Sequence, residues 1–294
     1  MIASDISENY YKFDGFVVIM GTDTMAYAAT ALSFMLENLN KTVVFTGSQI
    51  PFAEVYNDAR RNLIASIIFA GNQDFCEVTL FFNDKLLRGN RAVKQNAFGL
   101  DAFDSPNFPP LATLGVNVET RKDCALMPPT SPFRTFTKME TGIVTVKLIP
   151  KFDDEPLKVM VEHSKNLRAV IIEMYGTGNA PGEKKGLLDV LMLCKGRGIL
   201  VVVATQCSKG SVLIGKYAVG AALEGLGCIG AVDMTAEAVG TKIAYLLAKV
   251  GKEETRRLLQ VNLRGELSDT IRYERGIFHS RKKGLGRLSP KVML

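Results

Sequence analysis

The chain has 294 residues, of which 47% are hydrophobic and 22% are charged, which is enough for one large or two ordinary domains. No apolar run is long enough for a membrane-spanning helix, and the N-terminus lacks the basic start and apolar centre of a secretory signal peptide. The formal net charge is +6, but residues 264–294 carry most of it, and the rest of the chain is nearly neutral. No basic segment with interleaved aromatic residues predicts binding to nucleic acid.

Cysteine usage points to a reducing compartment. The chain has five cysteines, an odd number, and no two of them form a C-x-x-C pair. Their wide spacing does not suit a disulfide framework or a zinc site, because both need cysteines in pairs. We therefore expect a cytoplasmic protein. The positions are Cys76, Cys124, Cys194, Cys207 and Cys228.

The first part of the chain alternates short apolar runs with longer amphipathic ones. Apolar strands separated by helices predict a mainly parallel sheet that helices cover on both faces. Asn57 is the predicted N-cap of the second of these helices. The predicted elements are a strand at 16–20, a helix at 26–39, a strand at 41–48, a helix at 57–70 and a strand at 76–84.

A polar stretch with three prolines, within residues 126–141, interrupts this pattern and is predicted to be a linker. The fold class is therefore α/β, with a larger N-terminal domain (1–125), a smaller open C-terminal α/β domain (142–264) and a basic tail (265–294). Thr235 is the predicted cap of the last helix. The predicted elements of the second domain are strands at 142–149, 168–174, 198–204 and 227–232 and helices at 154–164, 183–196, 215–225 and 235–250.

The first predicted strand ends in the turn Gly21-Thr22-Asp23-Thr24. Thr and Asp are frequent helix N-caps, so one or two of these side chains could serve only to begin the next helix. Three polar residues in a row after a buried strand exceed that need, and ligands of parallel sheets bind where the strands end. The turn is a candidate site, with capping as the alternative.

Lys94, in the segment "LLRGNRAVKQN", is a second candidate. A lysine in a loop is usually exposed and without function, but this one follows a strand end of the same domain. A lysine drawn into a dry site beside a carboxylate can activate a hydroxyl group or a water molecule. Thr22, Asp23 and Lys94 together would form such a relay.

Three further kinds of segment are weaker candidates for chemistry. Neither His163 nor His279 lies at a strand end, which argues against a Ser-His-Asp hydrolase. The segment "YGTGNAPG" (175–182) resembles a dinucleotide-binding loop only loosely, because its third glycine is missing, and its glycines could serve only to turn the chain. Gln206 and Cys207 suit a subunit or domain interface, and Cys207 is expected to be structural rather than reactive.

Several of these segments occur in the order found in one known family. The stretch "GFVVIMGTDTMAYAATALSFMLENLNKTVVFTGSQIP" (15–51) resembles a signature region of the bacterial-type L-asparaginases. It is most similar to their cytoplasmic type I branch, which also occurs in animal asparaginase/lysophospholipase proteins. The resemblance runs from about residue 3 to residue 267. The other blocks that carry it are "YNDARRNL", "LLRGNRAVKQNAFGLDAFDSPN", "YGTGNAP", "TQCSKGSV" and "DMTAEAVGTKIAYLL".

The resemblance implies a two-domain amidohydrolase that converts L-asparagine to L-aspartate and ammonia without a metal or other cofactor. A threonine nucleophile forms an acyl-enzyme, which water then cleaves, and backbone N–H groups form the oxyanion hole. Thr22, Asp23 and Lys94 match the family's catalytic relay. Gly21, Thr22 and Asp23 match its substrate-binding turn, where Asp23 would bind the α-amino group. Active sites lie between subunits, so a homodimer or homotetramer is expected.

Two features depart from the family pattern. The family carries its first catalytic threonine on an earlier "TGGTI"-like turn, followed by a serine-containing turn, and neither has a counterpart here. We therefore expect an N-terminally truncated chain with little or no activity on its own, and an active longer form. Met20 stands where the family usually has histidine, which removes a polar anchor behind the relay.

Two other functions stay open at this point. A non-catalytic family member would act as a binding or regulatory subunit, paired with complete protomers or binding a small acidic amino acid without turnover. An unrelated nucleotide-binding α/β protein would use the segment at 175–182 and would bind NAD or ATP.

Overall fold

The computed structural model describes residues 1–72, 74–151, 153–180, 185–212, 214 and 218–268; the predicted candidate His279 and the tail from residue 269 lie outside this part. Among the described residues no helix is long and apolar enough to cross a membrane. The helices are Ile2–Asn9 (α1), Met25–Met35 (α2), Ala59–Asn72 (α3), Glu155–His163 (α4), Lys185–Gly196 (α5), Ala218–Gly225 (α6) and Ala236–Leu258 (α7). The strands are Phe16–Ile19 (β1), Leu36–Glu37 (β2), Val43–Thr46 (β3), Val78–Phe82 (β4), Lys85–Arg88 (β5), Val93–Lys94 (β6), Phe103–Asp104 (β7), Ala112–Leu114 (β8), Val118–Thr120 (β9), Arg134–Thr135 (β10), Ile143–Lys147 (β11), Ala169–Met174 (β12), Leu200–Thr205 (β13) and Ile229–Gly230 (β14).

The N-terminal unit is built on a six-stranded sheet with the order β1-β3-β4-β5-β8-β9. Strands β1, β3 and β4 pair in parallel, and the other three continue the sheet in antiparallel pairing. In β3, Val43 and Phe45 join the core under α2, whereas Val44 joins the core under α3. Both faces of this strand are buried, which explains its unbroken apolar sequence.

The C-terminal unit contains a four-stranded parallel sheet with the order β11-β12-β13-β14. Val170 and Ile172 of β12 pack in the core beside α4 and α5, and Ile171 packs in the core beside α7. The larger and smaller α/β units predicted from the sequence are confirmed.

The segment between the units contains an element that the sequence prediction missed. Arg134 and Thr135 form β10, which pairs in antiparallel fashion with β2. The amide of Phe136 then donates to the carbonyl of Met35 at 2.9 Å. The segment predicted as a linker over 126–141 thus contains a short strand, which the sequence does not reveal because a two-residue strand has no periodicity and depends on the edge that β2 offers.

Helix α2 lies between the two units and contacts β4 on one side and α7 on the other. The rings of Phe34 and Tyr245 stack across this contact with centroids 5.7 Å apart. The Tyr245 hydroxyl donates to Glu37 Oε1 at 2.7 Å, and Lys249 also pairs with Glu37. Burial between two units explains why α2 is apolar around most of its circumference.

The last described segment is longer than predicted. Thr235 caps α7 as expected, since its Oγ1 accepts from the Ala238 amide at 3.1 Å. The helix breaks at Gly251, which has a φ of 77°, directly after the predicted end at 250, and a second helical stretch then continues to Leu258. Beyond it, Glu266 and Leu267 are buried, so the packed chain extends past the predicted boundary at 264.

Helix α3 begins at residue 59, and the predicted cap by Asn57 is wrong. The Asn57 Nδ2 donates to the carbonyl of Glu54 at 2.7 Å. The carboxylate of Asp58 instead accepts from the amides of Gln49 and Ile50 at 3.1 and 3.0 Å. These bonds fix the loop after β3 against the start of α3.

Candidate active site

The ammonium group of Lys94 contacts both of its predicted partners. Lys94 Nζ donates to Thr22 Oγ1 at 2.8 Å and to Asp23 Oδ1 at 2.6 Å. The Lys94 side chain is 17% exposed, whereas the Asp23 side chain is 92% exposed. The three relay residues are thus adjacent, with the lysine on the inner side and the carboxylate facing solvent.

Neighbouring strand ends bring these residues together. β1 ends just before the turn, where the amide of Met20 donates to the carbonyl of Thr46 at the end of β3. The polar turn therefore lies at the carboxyl ends of two parallel strands, where α/β proteins bind ligands. Lys94 was predicted in a loop, but it lies on β6, which pairs with β7 and follows the 3₁₀ turn Gly89–Arg91.

The capping alternative for this turn is not supported. Thr24 is the N-cap residue of α2, yet its side chain makes no capping hydrogen bond within the described part of the chain. The Thr22 hydroxyl and the Asp23 carboxylate bond to Lys94 instead. The hydrogen bond from Lys94, aided by its charge, lowers the pKa of the Asp23 carboxyl, so this group stays ionised at neutral pH.

Gln49 is a member of the site that the sequence analysis missed. The Thr22 hydroxyl donates to Gln49 Oε1 at 3.2 Å, and Gln49 Nε2 donates to the carbonyls of Ala97 and Gly99 at 3.2 and 3.1 Å. Because the hydroxyl proton is directed to Gln49, an oxygen lone pair of Thr22 is left to accept from Lys94. The signal was its position in a polar turn after β3, the parallel neighbour of β1.

Gly21 connects β1 to the relay. A Cβ at this position would meet no atom within 4 Å, so space does not require glycine there. Its predicted contact with substrate stays a prediction. Met20 is half-buried and packs against the core beside α2.

The segment at 175–180 forms a closed turn rather than an open cradle. Tyr175 and Asn179 form an isolated antiparallel bridge. Gly176 and Gly178 have φ values of 51° and 108°, and a Cβ at Gly178 would lie 2.9 Å from Val212 Cγ1. The glycines are therefore needed to turn the chain. Position 181, where a third glycine is missing, lies outside the described residues.

The other candidates lie apart from the relay. Gln206 Nε2 donates to the carbonyls of Leu148 and Glu173 at 2.6 and 2.9 Å, which ties together the ends of neighbouring strands. Cys207 is exposed, and His163 lies in the last turn of α4. None of these three side chains bonds to Thr22, Asp23 or Lys94.

Two of the five cysteines, Cys194 and Cys228, are buried in the C-terminal unit. Burial raises the pKa of Cys194 to about 11 and that of Cys228 to about 12, so both thiols stay protonated at neutral pH. No group of three or more His, Cys, Asp or Glu side chains in those ranges is arranged to hold a metal ion.

Comparisons with known proteins match most of the chain to asparaginases. A family model described as "Asparaginase, N-terminal" matches residues 1–125, and one described as "Glutaminase/Asparaginase C-terminal domain" matches residues 143–259. L-asparaginase 1 of Escherichia coli K12 is 45% identical over 275 residues, covering 91% of this chain and 78% of that protein.

Solved structures give the same result. L-asparaginase I from Vibrio cholerae superposes with a TM-score of 0.83 at 41% identity, and the thermostable L-asparaginase from Thermococcus kodakarensis with a TM-score of 0.84 at 33% identity. Each comparison covers 91% of this chain and 80% of the other. The two sheets and the strand-end cluster thus define an α/β protein of asparaginase architecture. The chain belongs to the asparaginase family, which confirms the resemblance found in the sequence.

Proposed function

We propose that this protein is an amidohydrolase that converts L-asparagine and water to L-aspartate and ammonia. The observation that carries the proposal is the position of Lys94 Nζ, bonded to both Thr22 and Asp23. Its relatives in Escherichia coli and Vibrio cholerae, both L-asparaginases, support the choice of substrate.

Amide hydrolysis requires an oxygen nucleophile to lose a proton and the leaving nitrogen to gain one. Thr22 Oγ1 lies 2.8 Å from Lys94 Nζ and would connect an adjacent nucleophile to the amine. Lys94 would accept the proton through the Thr22 hydroxyl and return it to the departing ammonia. Asp23 stabilises the charged lysine between these transfers.

The nucleophile in this scheme is the hydroxyl of the family's first catalytic threonine, as the resemblance implies, and not that of Thr22. Its oxygen bonds to the amide carbon, the C–N bond breaks, and ammonia leaves from the acyl-enzyme. Water then breaks the new ester bond and releases L-aspartate. Backbone N–H groups stabilise the oxyanion in both steps.

Asp23 is assigned to the substrate's α-ammonium group. One carboxylate oxygen is bonded to Lys94, and the side chain is 92% exposed, so the group is accessible to a ligand. Its lowered pKa keeps it negative for binding a cation. The backbone of Gly21 would line the same turn. The reaction uses no metal or other cofactor.

We further propose a cytoplasmic homodimer or homotetramer. The free cysteines suit a reducing compartment, and the resemblance places active sites between subunits. The proposed domains are 1–125 and 142–264, with a connecting segment at 126–141 and a basic tail at 265–294, of which Glu266 and Leu267 are buried.

Ammonia release from L-asparagine, measured with a coupled assay at high protein concentration, tests the relay. In a form of the protein that also carries the nucleophile threonine, Thr22→Val and Lys94→Met should lower the rate by about 100-fold or more, because each removes a member of the proton path. Thr24→Val changes the same turn without touching Lys94 and should keep the unmodified rate. A rate for the unmodified protein no higher than that of Thr22→Val contradicts the proposal.

Two further measurements accompany this assay. L-glutamine as competing substrate measures the amide preference. Calorimetry with L-aspartate measures binding separately from turnover, and Asp23→Asn should weaken it. Binding without turnover would favour the non-catalytic subunit, for which the assembled relay gives no specific support.

A further inference from the structure

Asp233 lies in the C-terminal unit, between β14 and α7, and reaches across to the N-terminal unit. Its side chain is fully buried, and Oδ2 accepts from Arg91 Nη1 at 2.9 Å. Arg91 is 2% exposed in its side chain and stands three residues before Lys94. The Asp233 carboxylate also accepts from the amide and the hydroxyl of Ser268 at 2.8 and 2.7 Å.

Asp233 also holds the strand that pairs with the Lys94 strand. Asn107 follows β7, and its Nδ2 donates to the carbonyls of Asp233 and Gly210, each at 3.1 Å. The amide of Gly210 donates back to Asn107 Oδ1 at 3.0 Å. Residues 91–107, here called the Lys94 hairpin, are therefore held by Asp233 at both ends.

The guanidinium group of Arg91 is fixed on several sides. Its Nε donates to the carbonyl of Gly265 at 2.7 Å, and its Nη2 donates to the Ser268 hydroxyl at 3.3 Å. The ring of Phe108 lies 5.3 Å from its central carbon. A buried arginine with this set of partners cannot shift without taking its positive charge away from the buried Asp233 carboxylate.

The backbone just before Asp233 is strained. Val232 has a φ of 58°, in the left-handed region that β-branched residues rarely adopt. Its carbonyl accepts from the Val212 amide at 2.8 Å. Such strain persists where the surroundings impose it, and it concentrates at functional sites. In this chain the strained residue precedes the side chain that pairs with Arg91.

We propose that Asp233 is a positioning residue that holds the Lys94 hairpin in the register at which Lys94 reaches Thr22 and Asp23. The inference rests on the proposed function, because the role given to Asp233 is to position the relay. It adds a residue of the C-terminal unit to a site whose other members all come from the N-terminal unit.

Titration of the Asp23 carboxyl by NMR in the full chain tests this role directly. Lys94 lowers the pKa of the Asp23 carboxyl group, so the Lys94→Met variant gives the reference pKa of Asp23 in the absence of the lysine. Asp233→Asn should raise the pKa by more than half of the Lys94→Met shift, because the lysine moves away. Glu37→Gln is the matched control, since it breaks another buried cross-unit cluster that bonds to Tyr245 and Lys249. This control should keep the unmodified value.

Hydrogen exchange of the hairpin amides gives a second measurement. Asp233→Asn should accelerate exchange at least tenfold within residues 91–107, and Glu37→Gln should not. If Asp233→Asn fails to fold, Asn107→Ala and Ser268→Ala each remove part of the same contact and should shift both measurements in the same direction by less.

An Asp23 pKa and hairpin exchange that are unchanged in these variants would overturn the role. Hydrogen exchange that is accelerated equally along the whole chain would also overturn this role. It would show that Asp233 stabilises the fold in general and does not position the Lys94 hairpin. Neither measurement uses turnover, so a protein that releases no ammonia contradicts the proposed function and leaves the role of Asp233 to be decided by these data.

Discussion

Replacing Lys242 by methionine should lower the free energy of unfolding by about 3–5 kcal/mol, because it leaves a buried carboxylate without its partner. Lys242 Nζ lies 2.5 Å from Glu266 Oε1, and both side chains are fully buried. The ammonium group also donates to the carbonyls of Leu259 and Val261 at 2.8 and 2.6 Å. Methionine fills much of the space but serves none of these acceptors. The expected fall in Tm is on the order of 10 °C.

The size of this loss should depend on pH. Burial opposes the charged form of Glu266, but the Lys242 ammonium and the amides of Leu263 and Arg264 outweigh it and lower the pKa of Glu266. The unmodified protein therefore has this stabilisation above the unfolded pKa of about 4.3 and loses it as pH falls through the lower folded value. Without the Lys242 ammonium group, burial is the dominant effect on Glu266 and should raise the pKa of its carboxyl group. As pH falls, protonation of Glu266 removes the unpaired charge from the Lys242→Met variant. The loss in free energy of unfolding is therefore smaller in acid.

Urea titrations followed by circular dichroism at about pH 5 and pH 8 measure these free energies. The double variant Lys242→Met/Glu266→Gln removes both charges and should recover part of the loss at about pH 8. A loss below about 1 kcal/mol, the value of an exposed ion pair, would refute the reasoning. Equal deficits at the two pH values would refute it as well.

Three further predictions concern local structure and are measured by thermal unfolding. Gly178→Ala should destabilise by about 1–2 kcal/mol, because its φ of 108° and its contact with Val212 both oppose a Cβ. Gly71 lies in α3 with open space around it, so Gly71→Ala should stabilise the protein by up to about 1 kcal/mol. A similar fall in Tm for Gly178→Ala and Gly71→Ala would contradict these two predictions. Thr235→Ala should cost about 1 kcal/mol through the loss of the cap of α7, and an unchanged Tm would show that the cap contributes nothing.

Elements with a strong local pattern were predictable from the sequence. The parallel strands β3 and β12 are buried on both faces, so each has an unbroken apolar sequence. These apolar runs, separated by helical segments, allow the strands to be identified from the sequence. The break of α7 after residue 250 was predictable, because Gly251 is typical of a helix terminus, but the second helical stretch that continues to Leu258 was missed. The strand β10 was missed because its pairing depends on β2, which is distant in sequence.

The same distinction separates the parts of the site. Thr22 and Asp23 are recognisable locally, since they follow a buried strand directly. Lys94 could be joined to them only through the order of the family's motifs. Gln49 carried only the signal of a polar turn after β3, whereas Asp233 carried none and bonds to a residue 142 positions earlier. Contacts of that separation depend on how the two units pack, which no window of the sequence contains.

The pairing of β10 with β2 limits how copies of this chain can combine. Exchange of C-terminal units between two protomers requires the connecting segment to detach and act as a hinge. Here Thr135 is paired within its own N-terminal unit, and the amide of Glu140 donates to the carbonyl of Ala244 on α7 of the same chain. Anchored at both ends, the connection keeps each C-terminal unit with its own N-terminal partner. Exchange of C-terminal units is therefore disfavoured, because it would first have to break the pairing of β10 with β2.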